Sequence, residues 1–254
     1  MVIHSSPIIH VSSLDGFNYQ LAEWHFDKFA GSVPIVCDMS SSFMSRPVTV
    51  SNYGVIFAGA QKNVGPAGLT IVIVRDDLLP STVTSPHIPS IMNYRLMAEH
   101  DSLYNTPPVF SMYVVALTLK HLIQTYGSDN DEGGGHQSLA KLGDENAKKA
   151  NLLYRTIDSS QGFYHNPVPQ PYRSLMNIVF RIRGGGVGGG GVGANFDTDL
   201  ETAFVKEASQ RGLLELKGHR SVGGLRASLY NAMTYENVEL LCNFMLQFQQ
   251  QHQQ

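Results

Sequence analysis

Residues 33–74 read VPIVCDMSSSFMSRPVTVSNYGVIFAGAQKNVGPAGLTIVIV, and the fold class is decided there. Three short β-branched runs, Val33–Asp38, Val55–Ala60 and Leu69–Val74, are each bounded by Gly, Pro or Ser. That is how buried strands of an α/β sheet read. The first two runs end in polar clusters, Asp38–Ser42 and Gln61–Asn63. Open α/β sheets bind ligands at such strand ends.

Outward from this stretch the pattern stays α/β. Residues 1–16 hold two short β-branched runs without helical period, and Leu21, Trp24, His25 and Phe29 suit one face of a helix over 18–30. Three prolines make 80–90 a loop. Pro107 and Pro108 near a first turn and Gly127 past the end delimit a helix reaching Tyr126. Further helices are predicted over about 138–158, 199–210 and 235–249, and strands over 176–182 and 213–216. The Gln-rich end reads as a fraying helix tail. The expected organisation is a unit of three core strands over 1–106 and a smaller α/β domain over 107–254. A glycine-rich insert interrupts the second at 184–193.

Composition narrows the function classes. Eighteen basic and 21 acidic residues leave a net charge of −3, unlike the cationic surface that nucleic acid or an anionic membrane requires. No apolar run reaches the ~18 residues of a membrane span, and no basic region followed by an apolar stretch marks a signal peptide. Cys37 and Cys242 lie far apart in apolar runs, so buried free thiols in a reducing, cytoplasmic setting are expected, with neither a disulfide nor a zinc site. The ten histidines have no metal-ligand spacing.

A few residues stand out chemically. Lys62 follows an apolar strand in a loop of small residues. Desolvation there frees an amine for Schiff-base chemistry, while the bland alternative is a snorkelling strand-end lysine. Asp38 ends the preceding strand and suits the ring nitrogen of pyridoxal phosphate, or else an ordinary turn. In KGHRSVGGLRAS, residues 217–228, His219, Arg220 and Arg226 lie among glycines and read as an anion site. Asn105 and Thr106 either donate to phosphate or cap the next helix. Eight glycines between Gly184 and Gly193 lack the Gly-Lys-Ser/Thr ending of a phosphate loop and read as a flexible insert.

Taken together, DMSSSFMSRPVTV (38–50), NYGVIFAGAQKNVGPAGLTIVIVRDDLL (52–79), YNTPP (104–108) and KGHRSVGGLRASLYNA (217–232) resemble the phosphoserine aminotransferases of the class-V family. The resemblance runs from about Asp27 to the C-terminus. It implies a fold-type-I enzyme that uses pyridoxal phosphate, works as a homodimer, and exchanges an amino group between glutamate and 3-phosphohydroxypyruvate in serine biosynthesis. By that resemblance Lys62 carries the cofactor, Asp38 partners its ring nitrogen, and Gln61 lies beside its phosphate. Asn105 and Thr106 reach the phosphate in the neighbouring subunit. Arg226 takes the substrate carboxylate, and His219 with Arg220 the substrate phosphate. About a third of the family's chain, at the N-terminal side, has no counterpart here, including its phosphate-binding glycine turn and ring-stacking aromatic. Trp24 does not match that aromatic. The strands beside the Asp38 strand are also missing, so its outer edge is open unless residues 1–16 fill it. The resemblance therefore leaves a second possibility, an inactive member that only binds cofactor or pairs with full-length subunits.

Overall fold

The computed structural model describes residues 9–12, 33–79, 87–127, 135–183, 196–218 and 223–253, with backbone alone at 9–12 and at His136. The predicted helix over 18–30, the glycine tract, His219 and Arg220 lie outside the described residues.

Two compact units divide at Ser138–Leu139. The first holds a sheet in the order β1 (Ile9–Ser12), β2 (Ile35–Asp38), β3 (Val55–Gly59), β4 (Thr70–Val74). β1, β2 and β3 run parallel, and β4 returns antiparallel on β3. β1 lies along the outer edge of β2, Ile9 opposite Ile35 and Ser12 opposite Asp38. Residues from the N-terminal segment thus fill the edge left open in the sequence comparison.

Alternation along β2 and β3 buries Ile35, Cys37, Ile56 and Ala58, which pack with Met39 and Tyr53. These strands bury one face, whereas the sequence reads as buried on both. On β4, Val72 and Ile73 are exposed.

A short helix α1 (Tyr94–Glu99), capped by the Asn93 side chain on the Leu96 amide, precedes α2 (Val109–Tyr126). α2 seats Val115 against Ala60 and Val64. Gly65 is glycine because a Cβ there would stand 2.6 Å from Val115. This packing puts α2 in the first unit, whereas the sequence expectation of a join at 106–107 puts it in the second.

The second unit folds α3 (His136–Asp158), α4 (Thr198–Gln210) and α5 (Tyr235–His252) with an antiparallel sheet β5 (Tyr164–His165), β6 (Asn177–Ile182), β7 (Leu225–Ser228). Its centre is Phe204, with Phe244 at 4.9 Å, Phe248 at 5.1 Å and Phe180 at 5.8 Å between ring centroids. Asp197 caps α4 by accepting from the Asp199 and Leu200 amides, and Thr234 caps α5 by accepting from the Asn237 amide, each worth about 1 kcal/mol.

Two expectations fail here. Residues 213–216 form no strand, because Glu215 takes a left-handed backbone (φ 59°) that breaks an extended run. The Gln-rich end does not fray within α5: Phe248 is buried and Gln249 Nε2 donates to the Ser160 carbonyl at 2.8 Å.

Candidate active site

β2 and β3 are adjacent and parallel, so the loops after them leave the same sheet edge about 5 Å apart. The first begins at Asp38, whose Oδ1 accepts from the Ser40 amide at 2.9 Å, the local turn that an Asp offers its own backbone. Serine at 40–42 suits a tight turn, and the amides of Ser42 and Phe43 both close on the Met39 carbonyl (2.9 and 2.7 Å). The second loop is equally tight, with the Val64 and Gly65 amides donating to the Ala60 carbonyl.

Hydrogen bonds tie the end of β3 and its following loop to the first loop. The Gly59 amide donates to Ser40 Oγ (3.1 Å), Lys62 Nζ to Ser41 Oγ (2.6 Å), and Asn63 Nδ2 to the Phe43 carbonyl (3.0 Å). Lys62 is half-buried and Gln61 exposed. The Gln61 side chain folds back over Gly59, where a Cβ would displace its amide. Asp38, Gln61 and Lys62 therefore lie on two loops that leave the same end of the sheet. Ser40, Ser41 and Asn63 belong to the polar clusters that the sequence marks at these strand ends, but nothing in the sequence gives them individual roles. Their signal was the serine run one turn after a strand-end Asp, which reads equally well as a cap.

Asn105 and Thr106 are both exposed. They do not cap α2, whose N-cap is Pro108 with no side-chain bond. The start of α2 is tied to the loop after Lys62 by Ser111 Oγ, which donates to the Ala67 carbonyl at 3.3 Å.

In the second unit Arg226 lies on β7 opposite Val179. Leu225 and Ala227 face the core, so Arg226 points to the other side of the sheet. Its amide is held by the Leu216 carbonyl at 2.9 Å, and Gly218 donates to Gly224 at 2.8 Å. Gly223 and Gly224 both take left-handed backbone (φ 73° and 72°), the geometry that glycine permits. Arg226 Nε is buried without a hydrogen-bond partner among the described residues. A buried unmatched donor is costly and marks a place for an acceptor.

A groove of about 920 Å³ in the second unit, rimmed by Lys148, Arg155, Tyr235 and the Arg173–Asp158 ion pair, includes none of these residues. Among the described residues no three His, Cys, Asp or Glu side chains cluster as metal ligands. No described helix is long and apolar enough to cross a membrane.

The sequence matches the class-V aminotransferase family over residues 7–241. A phosphoserine aminotransferase of Laribacter hongkongensis is 50% identical over 220 residues, covering 87% of this chain and 54% of its own. The structure of phosphoserine aminotransferase from Bacillus circulans subsp. alkalophilus is similar with a TM-score of 0.77 and 40% identity, over 95% of this chain and 59% of that one. The pyridoxal-phosphate-bound phosphoserine aminotransferase from Trichomonas vaginalis gives a TM-score of 0.76 at 36% identity, over 93% and 59%. The chain spans about half the length of the curated relatives it matches. Its architecture is that of the fold-type-I aminotransferases.

Proposed function

The chain belongs to the class-V aminotransferase family, and on that premise we propose that it uses pyridoxal phosphate to move an amino group between glutamate and 3-phosphohydroxypyruvate, giving 3-phosphoserine and 2-oxoglutarate. The observation that carries this reading is the seat of Lys62, whose Nζ lies 2.6 Å from Ser41 on the turn that begins at Asp38.

The residues at these strand ends fit the cofactor by chemistry. An amine, a carboxylate and a primary amide leave one sheet edge, and a glycine makes room beside the amide. Bound pyridoxal phosphate supplies the electron sink that acidifies the C–H bond beside the substrate amino group. Lys62 Nζ is the group that would hold the cofactor through its aldehyde and would carry the proton to and from that carbon. The Asp38 carboxylate keeps a proton on the ring nitrogen. Gln61 donates toward the cofactor phosphate. Arg226, with its unmatched Nε, takes the substrate carboxylate as a guanidinium does. His219 and Arg220 take the substrate phosphate.

The working form is a homodimer in which Asn105 and Thr106 reach the partner's cofactor phosphate. Support comes from their surroundings: Leu103, Tyr104, Val109 and Phe110 are all exposed, and clustered exposed apolar side chains mark interaction surfaces. The cytoplasmic assignment rests on two buried free thiols, Cys37 and Cys242.

The test is optical. Pyridoxal phosphate added to the purified chain should give a new absorbance band that glutamate bleaches and 3-phosphohydroxypyruvate restores. A band indifferent to glutamate would reduce the chain to a cofactor binder, and absence of any band would sink the reading.

A further inference from the structure

Two of the hydrogen bonds between these segments fix backbone groups, at Gly59 and at Phe43. The one between them links two side chains, Lys62 Nζ and Ser41 Oγ at 2.6 Å. Ser41 is 1% exposed, and the double closure of the 40–43 turn on the Met39 carbonyl (2.9 and 2.7 Å) leaves it little freedom. Lys62 has a flexible four-carbon stem, whose rotamer entropy opposes holding the amine in one place. A charge-assisted bond to a fixed, buried hydroxyl offsets that entropy.

We infer that Ser41 is a positioning residue, the seat that holds Lys62 Nζ beside the Asp38 turn for reaction with an incoming aldehyde. The inference rests on the reading of Lys62 as the cofactor-bearing amine and adds a residue to it. Ser41 touches the amine and needs no contact with cofactor or substrate. Capture joins Nζ to the aldehyde carbon. The ammonium first gives one proton to solvent, and the two protons of the resulting neutral amine then leave with the aldehyde oxygen as water. Ser41 gains and loses no atom. It fixes where the nitrogen stands, and proximity of this kind acts on rate.

Ser41→Ala removes the hydroxyl from a buried position with little change of volume, and Ser41→Thr keeps it. The rate of covalent capture of pyridoxal phosphate by the full chain should fall about tenfold in Ser41→Ala, the weight of one hydrogen bond to a charged group, and return toward wild type in Ser41→Thr. Pyridoxamine phosphate has no aldehyde, so its affinity should be the same in all three proteins. Capture by Ser41→Ala at the wild-type rate would overturn the role of Ser41 and leave Lys62 intact. Equal losses in capture and in pyridoxamine phosphate affinity would make Ser41 a structural residue and overturn positioning. No capture at Lys62 in the wild type would overturn the parent reading and this one with it.

Discussion

In the second unit Phe204 sits among Phe180, Phe244 and Phe248 with no exposed surface. In the first, Phe110 leaves 75% of its surface in solvent, Val109 65% and Tyr113 61%. Both units were built by the same chain with similar apolar residues, so composition does not explain the contrast. The second unit covers its sheet with its own helices and ties them together through polar bonds: the Tyr164 hydroxyl donates to the Met245 carbonyl (2.8 Å) and Arg181 pairs with Glu201 (2.6 Å). In the first unit α2 buries Val115 and Leu122 and shows Phe110, Tyr113 and Leu117 along another stripe. A helix apolar on both sides belongs between two layers of protein. Lys62 thus stands in the unit with an exposed apolar helix face, and Arg226 in the unit whose aromatic core is fully covered.

The largest effect that could break this contrast is in the aromatic core. Phe204→Ala should cost the second unit about 3–5 kcal/mol, read as a shift in denaturant midpoint. A loss below about 1 kcal/mol would mean that the core is not the organising element. Next comes a pH effect. Lys149 on α3 is buried and donates to the carbonyls of Met233 (2.7 Å) and Tyr230 (3.3 Å), and burial pushes its ammonium down to about 8. Between pH 8 and the ordinary lysine value the unfolded chain binds more protons than the folded one. Stability should therefore rise with pH across that window, by up to about 1.4 kcal/mol per unit, and fall as pH drops through 8. Lys149→Met should flatten the slope in urea melts at several pH values. The smallest effect on stability is expected in the first unit. Phe110→Ser should change unfolding by less than about 0.5 kcal/mol yet weaken self-association in sedimentation velocity. A large stability loss without change in association would erase the difference between the units.

How much of this was legible in the sequence depends on how local the cause is. β2, β3 and β4 come out within two residues of their predicted bounds because β-branched runs between breakers need no distant partner to be recognised. β7 was hidden, since four residues after Gly223–Gly224 alternate Leu, Arg, Ala, Ser and read as a loop. The false strand at 213–216 had the right apolar content and the wrong backbone at Glu215. Pro107–Pro108 marked the start of α2 correctly, but which unit that helix joins is decided by Val115 meeting Ala60 and Val64, a tertiary fact. At the candidate site the strand ends single out Lys62 and Asp38 only as candidates beside ordinary strand-end and turn readings, and the proposed roles of all the site residues come from resemblance. Ser41 is visible in the sequence only as part of the Asp38–Ser42 cluster, because its 2.6 Å bond joins two loops.

The central claim is that Lys62 is the amine that carries the cofactor. Pyridoxal phosphate followed by borohydride reduction, then peptide mapping by mass spectrometry, tests it directly. The account predicts one stoichiometric adduct on Lys62 that disappears in Lys62→Ala without transfer to another lysine. An adduct spread over surface lysines, or one that persists in Lys62→Ala, would contradict it.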